Sequence, residues 1–364
     1  MEVLLLLTYL LLIGYILNIL WLCIGFSKVK NFRRKKTTPK TSFSIIVPFR
    51  NEAKNLPLLL DSLQKIDYPK ELFEIILVDD ASEDNYESQI ENNDFVLIKN
   101  NRKTNSPKKD AIQTAISQAK KEWILTTDAD CVVPKNWLKT FDAYIHEHSV
   151  KMVASGVMYE EQTTVLHTFQ NLDLLSLQGT TMGSFGNGQA FMCNGANFCY
   201  QKKFFKKLNG FEGNDTIASG DDVFLLQKAI SCDKNAVAFL KNNEATVVTQ
   251  TEATWSKLFQ QRVRWASKTA NYKGFYSKQL ALFVFATNAL LLLLLLSGSF
   301  SIFLKLFALK FLTDYLLFRS TAFYFKKPLR LLFLSGLIYL FFSVSVAVYA
   351  LFGTYEWKGR RFSK

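Results

Sequence analysis

Two aspartates one residue apart, Asp128 and Asp130, follow the apolar segment WILTT. Carboxylates with this spacing can bind one divalent cation, because Mg²⁺ or Mn²⁺ commonly binds through one or two carboxylates while substrate phosphate completes its shell. A cation held there would neutralise negative charge on a phosphate leaving group. A solvated turn is the alternative interpretation, since the Asp-x-Asp pattern on its own is weak.

A second acidic pair, Asp79 and Asp80, ends the apolar segment FEIILVDD. Adjacent acids at the end of a buried strand suit binding of ribose hydroxyls, base edges or a metal-bound ligand. The alternative is that Asp80 or Ser82 caps a helix over residues 85–90. We weigh these two interpretations equally.

The first apolar segment, FSIIVPF, is followed by Arg50-Asn51-Glu52. We expect Pro48 to end strand pairing and Asn51 and Glu52 to point to the same edge of the sheet. Asn51 is also a candidate cap of the next helix.

A third acidic pair, Asp221 and Asp222, precedes VFLLQKA, which has helical spacing. Acids in the first turn of a helix gain about 0.3–1 kcal/mol from the helix dipole. A carboxylate facing an acceptor hydroxyl could instead act as a general base.

Gln261, Arg264 and Trp265 lie shortly before an apolar segment near the C-terminus. The guanidinium groups of Arg262 and Arg264 suit a diphosphate, and the indole suits stacking on a sugar ring. The alternative is a Trp-Arg anchor at a membrane boundary.

The elements that position these residues alternate between strands and helices. FSIIVPF, FEIILVDD, FVLIKN and WILTT are near-continuous apolar segments, and helical patterns separate them. This alternation predicts an α/β fold, with a mostly parallel sheet covered by helices on both faces. Ligands of such sheets bind at the carboxyl ends of the strands. We therefore expect Glu52, the pair Asp79 and Asp80, and the pair Asp128 and Asp130 to converge on one site.

Long apolar segments flank this soluble region. Residues 3–26 contain no charge and exceed the ~20 residues that cross a bilayer. Residues 280–300 and 329–353 are two further span candidates, whereas 302–325 carries four charges and is either a third C-terminal span or an interfacial helix. The basic segment at 28–36 places the following domain in the cytoplasm by the positive-inside rule.

This pattern divides the chain into five predicted parts. They are an N-terminal membrane anchor (1–27), a cytoplasmic domain (40–265), an interfacial linker (266–279), a membrane region with two or three spans (280–356) and a basic tail (357–364). The side of the membrane on which the tail lies stays open, because neither two nor three spans place every basic flank in the cytoplasm.

The formal net charge is +13, and much of it flanks the apolar segments. Attraction to anionic lipid headgroups explains this charge. No nucleic-acid partner is expected, since no basic helix or RNA-binding motif accompanies the charge. The five cysteines lack metal-ligand spacing, and a buried apolar role is expected for them, Cys131 included.

Six segments occur in the order found in family-2 glycosyltransferases: SIIVPFRNE, EIILVDDASED, KKDAIQTAI, TTDAD, SGDD and QRVRW. Over Ser44 to Trp265 the chain therefore resembles these membrane-anchored inverting enzymes. The resemblance implies a GT-A fold, which is Rossmann-like, flanked by transmembrane helices. It also implies a nucleotide-sugar donor, which we expect to be a UDP-sugar, and a divalent metal cofactor, Mg²⁺ or Mn²⁺.

The resemblance also assigns roles. It places Pro48, Glu52, Asp79, Asp80, Lys108 and Asp128 at the donor, and Asp128 and Asp130 at the metal. It makes Asp222 the general base, and it assigns Asp221, Gln261, Arg264 and Trp265 to the acceptor or diphosphate. Asp221 replaces the usual Glu, and Ile112-Gln113 replaces the usual Leu-Asn. Gly195-Ala196-Asn197 is expected near the donor sugar.

The C-terminal segment TYEWKGRRF resembles a motif of membrane glycosyltransferases that act on lipids, such as ceramide glucosyltransferase-like proteins. This favours a lipid or lipid-linked acceptor. The apolar spans and the basic segment at 28–36 predict an integral protein of the bacterial inner (cytoplasmic) membrane, and we expect a role in the cell envelope. Three alternatives remain: a processive polysaccharide synthase, a nucleotidyltransferase, and a non-catalytic membrane module that binds nucleotide sugars.

Overall fold

The computed structural model of the protein describes residues 2–90, 94–215, 217–272 and 274–362. The last two residues of the predicted 357–364 tail lie outside this set. Eleven α-helices are described: α1 Glu2–Lys28, α2 Leu56–Gln64, α3 Pro107–Gln118, α4 Trp137–Glu147, α5 Val165–Gly186, α6 Lys202–Lys207, α7 Asp221–Cys232, α8 Trp255–Ser267, α9 Phe275–Leu296, α10 Phe300–Phe325 and α11 Leu332–Phe352.

The described residues also form twelve strands. They are β1 Phe43–Phe49, β2 Phe73–Asp79, β3 Val96–Lys99, β4 Trp123–Thr126, β5 Cys131–Val132, β6 Met152–Ser155, β7 Val157–Tyr159, β8 Phe198–Gln201, β9 Val237–Leu240, β10 Val247–Thr249, β11 Tyr355–Trp357 and β12 Arg360–Phe362.

The chain divides into two compact units. The sheet unit comprises Lys30–Glu160 and Met192–Gln250, and the helical unit comprises Met1–Val29, Glu161–Phe191 and Thr251–Lys364. The sequence interval 40–265, predicted as one cytoplasmic domain, is thus shared between the two units, because α5 and α8 belong to the helical one.

The sheet unit contains a seven-stranded sheet in the order β3-β2-β1-β4-β8-β6-β9. Strands β3, β2, β1 and β4 are parallel to one another, whereas β8 is antiparallel to both β4 and β6. Nearly all side chains of β1 and β2 are buried, which explains why both strands read as continuous apolar segments. The predicted α/β fold is confirmed.

Pro48 does not end β1. Pairing with β2 continues through Pro48 to Phe49, and only the pairing with β4 stops earlier, at Ile46. A proline has no N–H to donate, so it is tolerated where a strand keeps one paired neighbour. Strand β1 therefore extends one residue further towards the predicted site.

Two loops differ from the capping predicted for them. Instead of an α-helix over residues 85–90, the structure has a three-residue 3₁₀ helix, Glu87–Gln89. The residue that precedes α2 is Asn55 rather than Asn51, and its side chain makes no capping hydrogen bond. The polar side chains in these loops therefore have other partners, which are described below.

The helical unit contains three helices, among the described residues, that are long and apolar enough to cross a membrane: Leu5–Lys28, Phe275–Leu296 and Leu332–Phe352. Helix α10 carries the charges of the uncertain segment, and Lys310 Nζ lies 2.6 Å from Asp314 Oδ2. Asp314 Oδ1 also accepts a hydrogen bond of 2.5 Å from the Tyr15 hydroxyl of α1. The charges of α10 are thus partly compensated inside the helical unit.

Helix α5 packs closely against α1 through glycines. A Cβ atom on Gly186 would lie 1.8 Å from the carbonyl oxygen of Gly25, and one on Gly183 would lie 2.5 Å from that of Leu22. Such contact between helix backbones requires small residues. Helix α5 follows β7 in the chain, yet it packs with the membrane-span candidate α1.

Candidate active site

The loops after β1 and β2 are joined by polar contacts at the carboxyl edge of the sheet. Arg50 Nη2 lies 2.7 Å from Glu83 Oε1, and the Glu83 N–H donates to Asn51 Oδ1 at 2.8 Å. The Ala53 N–H donates to Asp84 Oδ2 at 2.7 Å. Asn51 has φ +53°, in the left-handed region that asparagine tolerates. The two loops therefore form one wall beside the strand ends.

Asp79 and Asp80 lie at the end of β2, where this wall begins, and both are 6% exposed. Asp79 Oδ1 accepts a hydrogen bond of 2.8 Å from the Ser82 N–H, and Asp80 Oδ1 accepts one of 2.7 Å from Asn100 Nδ2. Burial, followed by the charge of Asp79 and a hydrogen bond to it, raises the pKa of Tyr86 to about 12. Both carboxylates are thus held at the end of β2.

Glu52 is also buried, and its Oε2 accepts a hydrogen bond of 2.6 Å from Asn55 Nδ2. Its carbonyl oxygen accepts from the N–H groups of Asn55 and Leu56, where α2 begins. The sheet unit thus places Pro48, Glu52, Asp79 and Asp80 at adjacent strand ends, as the spacing predicted.

A second group of predicted residues surrounds Lys108, in the first turn of α3. Lys108 Nζ lies 2.6 Å from Asp128 Oδ1 and 3.7 Å from Asp221 Oδ2. Burial disfavours the charged ammonium, but the nearby carboxylates of Asp128, Asp221 and Asp222 outweigh it and hold the pKa of Lys108 above its usual value. We call Lys108, Asp128, Asp221 and Asp222 the lysine cluster.

Asp222 is oriented by backbone groups. Its Oδ2 accepts from the Gly195 N–H at 2.9 Å, and its Oδ1 accepts from the Val223 N–H at 2.7 Å. Both acids of the pair occupy the first turn of α7, after Gly220, which has φ +81°. The pair can therefore interact favourably with the helix dipole and also provide a general base.

Gly195 allows this approach. A Cβ atom there would lie 3.0 Å from Asp221 Oδ2 and 3.5 Å from Lys108 Nζ. The Gly195 carbonyl accepts a hydrogen bond of 2.6 Å from Thr126 Oγ1, at the end of β4. The expected segment at 195–197 thus lies directly against the lysine cluster.

Sequence reasoning missed Lys109, which is 1% exposed. Its Nζ donates to the carbonyl oxygens of Asn214 and Ile217, at 2.6 and 2.7 Å, in the loop before α7. The available signal was two lysines in the first turn of a helix, where the dipole disfavours positive charge. Lys108 binds the acids, and Lys109 binds the loop that leads to them.

The donor set suits a divalent cation held jointly with a substrate. Among the described residues, no group of three or more His, Cys, Asp or Glu side chains is placed to hold a metal ion. Asp128 and Asp130, which follow β4, supply hard carboxylate oxygens, and a diphosphate and water would have to complete the shell. Because Asp128 contacts Lys108, a cation would compete with that ammonium.

Cys131 adjoins these acids, yet it has no feature of a nucleophile. Burial, followed by the charges of Asp130 and Asp128, raises the pKa of its thiol well above the usual value. Its side chain is 1% exposed and belongs to the core of the sheet unit.

Gln261, Arg264 and Trp265 lie on α8, in the helical unit. Gln261 Nε2 donates to Glu252 Oε1 at 2.9 Å, and the Arg264 guanidinium carbon lies 5.1 Å from the Trp357 ring centroid. Trp357 belongs to the hairpin of β11 and β12, so the two C-terminal motifs contact each other. The other predicted site residues belong to the sheet unit.

Part of the chain is similar to known proteins. Residues 44–208 match the family described as Glycosyl transferase family 2. The poly(ribitol-phosphate) β-N-acetylglucosaminyltransferase TarS of Staphylococcus aureus is 40% identical over 110 residues, which are 29% of this chain and 19% of TarS. The poly-β-1,6-N-acetyl-D-glucosamine synthase of Staphylococcus epidermidis is 24% identical over 232 residues, which are 61% of this chain and 53% of that protein.

A solved structure shares the fold. The mannosyltransferase PcManGT from Pyrobaculum calidifontis, in complex with GDP-Man and Mn²⁺, has a TM-score of 0.62 and 18% identity, and the match covers 96% of this chain and 99% of that one. This match supports the predicted GT-A fold. The chain matches only about half or less of the length of the two curated relatives, 53% and 19%.

Proposed function

The chain is a family-2 glycosyltransferase with a GT-A fold, and from this premise we propose that it transfers a sugar from a UDP-sugar to a hydroxyl of a membrane lipid or lipid-linked acceptor. The observation that carries the proposal is the lysine cluster. It combines an ammonium group, a metal-compatible carboxylate and a candidate base beside strand ends where such folds bind nucleotides.

The donor site would use the wall beside β1 and β2 for the nucleotide, through Pro48, Glu52, Asp79 and Asp80. Lys108 and Asp128 would lie at the diphosphate. N-acetylglucosamine is the first sugar to test, because both curated relatives are named for enzymes of this sugar. The family match also favours glycosyl transfer over nucleotidyl transfer or mere binding.

Asp128 and Asp130 would hold a divalent cation, which when bound neutralises charge on the diphosphate. The complex of PcManGT with GDP-Man and Mn²⁺ supports this for the fold. Lys108 would contribute a second positive charge beside Asp128, since a lysine is protonated at neutral pH.

Asp222 would act as the general base. Its carboxylate takes the proton of the acceptor hydroxyl, and the oxygen attacks the anomeric carbon. The bond from that carbon to the diphosphate oxygen breaks, and UDP leaves with the electron pair. One in-line displacement inverts the anomeric configuration. The hydrogen bonds from Gly195 and Val223 fix the direction of the carboxylate before the acceptor arrives.

Gln261, Arg264 and Trp265 would serve the acceptor or the diphosphate, together with Asp221. Three membrane-span candidates and the Arg264 contact with Trp357 support a lipid acceptor. The basic segment at 28–36 supports a catalytic domain on the cytoplasmic face of a bacterial inner membrane. The glycosylated product would then be a component of the cell envelope.

A processive polysaccharide synthase is the second candidate. The match to a poly-β-1,6-N-acetyl-D-glucosamine synthase over 61% of this chain favours it. Only three span candidates occur among the described residues, which argues for transfer of single sugars, since a synthase needs spans to build a channel. Product size separates the two: single addition yields one discrete mass increment, and processive synthesis yields a ladder.

The test measures UDP release by the detergent-purified full chain with a panel of UDP-sugars, Mn²⁺ or Mg²⁺, and bacterial lipid extract. We expect one sugar to give lipid-stimulated release that Asp222→Asn abolishes. Near-normal turnover by Asp222→Asn would contradict the assigned base. Tight UDP binding without release from any sugar would contradict the donor class.

A further inference from the structure

Five polar residues in the helical unit, which we call the polar ring, are linked by contacts between four pairs into a chain that begins and ends on α5. Gln170 and Asp173 lie one turn apart on α5. The side-chain amide of Gln170 donates to the Glu252 carbonyl oxygen at 2.9 Å and accepts from the Glu252 N–H at 2.8 Å. The Glu252 carboxylate accepts from Gln261, and Gln261 Oε1 accepts from Arg262 Nη1. Arg262 Nε donates to Asp173 Oδ2 at 2.6 Å, so the last contact returns to α5.

The polar ring is sealed from solvent at its ionic contact. The side chains of Arg262 and Asp173 are each 7% exposed, and Gln170 is fully buried. A buried ion pair contributes little net stability because desolvation offsets its attraction, but loss of one partner is costly. The pair therefore fixes how α8 lies on α5 more than it stabilises the fold.

Arg262 also holds Trp265. Its guanidinium carbon lies 4.1 Å from the Trp265 ring centroid, within the range of a cation–π contact. A planar guanidinium can stack on an indole while its edge donates to a carboxylate. Asp173 thus orients Arg262, and Arg262 orients the Trp265 ring and the Gln261 amide.

We propose that Asp173 and Arg262 are positioning residues that set the orientation of Trp265 and Gln261 for the acceptor. Neither residue was selected by the sequence motifs: Arg262 lies between two motif positions, and Asp173 lies 89 residues away along the chain. The acceptor role of Trp265 and Gln261 rests on the proposed function, whereas their orientation by the polar ring does not.

The first test reads the orientation directly and needs no turnover. The full chain is labelled with 5-fluorotryptophan, and Trp265→Phe assigns one fluorine resonance among the six tryptophans. Asp173→Asn and Arg262→Gln are expected to shift or broaden that resonance. Lys65→Gln, which removes an exposed pair with Asp61, serves as the matched control and should leave it unchanged. An unchanged Trp265 resonance in both ring variants overturns the proposal, whatever the activity.

The second test separates positioning from folding. With UDP-N-acetylglucosamine and vesicles of bacterial polar lipid, we expect Arg262→Gln to lower transfer at least tenfold while UDP binding changes less than twofold. Arg262→Lys, which keeps the charge but loses the planar group, should be intermediate, and it remains informative if Arg262→Gln fails to fold.

A double-mutant cycle completes the second test. In a Trp265→Leu background, which removes the aromatic ring that Arg262 orients, Arg262→Gln should cost clearly less than in the wild type, and the remaining cost is its effect on Gln261. Fully additive losses overturn the positioning role. If the wild type transfers no sugar while the fluorine resonance still responds to Asp173→Asn, the proposed function fails. The orientation of Trp265 by the polar ring then still holds.

Discussion

The ionic networks of the two units differ in their access to solvent. In the lysine cluster, the side chains of Lys108, Asp128 and Asp221 are 18%, 36% and 12% exposed, whereas Asp173 and Arg262 are both 7% exposed. An accessible pair can exchange partners, so a cation or a diphosphate can replace a contact between lysine and aspartate. A sealed pair cannot exchange partners, and its effect is confined to the side chains it holds.

The largest effect that this comparison predicts is on stability in the helical unit. Asp173→Asn leaves the Arg262 guanidinium without its buried carboxylate, which should cost about 3 kcal/mol. Thermal unfolding in detergent measures this loss. Asp61→Asn, which breaks the exposed pair with Lys65, should cost under about 1 kcal/mol. Equal losses in the two variants would contradict the distinction between sealed and open pairs.

The next largest effect concerns the contact between α1 and α5. Gly186→Ala introduces a Cβ atom 1.8 Å from the Gly25 carbonyl oxygen, so the two backbones must separate. We expect a loss of about 1–3 kcal/mol in thermal unfolding. Gly336→Ala is the control, because its nearest atom, on Phe307, would lie 3.5 Å away. Comparable melting temperatures for the two variants would show that the helices do not pack through Gly186.

A smaller effect is expected in the lysine cluster, on binding rather than on folding. Lys108→Met leaves Asp128, Asp221 and Asp222 without their ammonium partner, so the diphosphate would meet uncompensated negative charge. UDP affinity should fall about tenfold, or about 1.4 kcal/mol, in calorimetry. Lys108→Arg, which keeps the charge, should lose less. Unchanged affinity in Lys108→Met would remove Lys108 from the donor site.

The last effect is on the pH dependence of stability, and it is absent at neutral pH. It involves Lys241, because burial lowers the pKa of this lysine from 10.5 to about 8. Between these values the unfolded chain binds more protons than the folded one, so unfolding free energy should rise with pH from about 8 to about 10.5. Below pH 8 this group contributes no slope. The buried thiols of Cys131 and Cys199, whose pKa values burial raises, have the opposite effect above the ordinary thiol pKa. The contribution of Lys241 is therefore the difference between two urea-unfolding series, and the slope against pH should be more positive in the wild type than in Lys241→Met.

The sequence predicted the part of the fold whose segments have a clear period. Strands β1, β2 and β4 are continuous apolar segments, and their predicted ends placed Asp79 at the end of β2 and Asp128 after β4, where the structure has them. Glu52 was placed after β1 for the same reason. These inferences depend on local patterns that the fold preserves.

The sequence did not predict what depends on distant partners. Helix α5 carries Gln170 and Asp173 among its apolar residues, and nothing local indicates that they contact residues 252 and 262. Arg262 was interpreted only as a guanidinium group that suits a diphosphate, and its pairing with Asp173 was not predicted. Only the contact between α8 and α5 shows that Arg262, which lies between the motif residues, is buried.

The central claim is that the donor binds at the lysine cluster and its adjoining acids, and not at the polar ring. Calorimetry with UDP and Mn²⁺ tests this claim on three proteins: the wild type, Asp130→Asn and Arg262→Gln. We expect Asp130→Asn to weaken UDP binding at least tenfold and Arg262→Gln to change UDP affinity less than twofold. Wild-type affinity in Asp130→Asn, or an equal loss in Arg262→Gln, would contradict the claim.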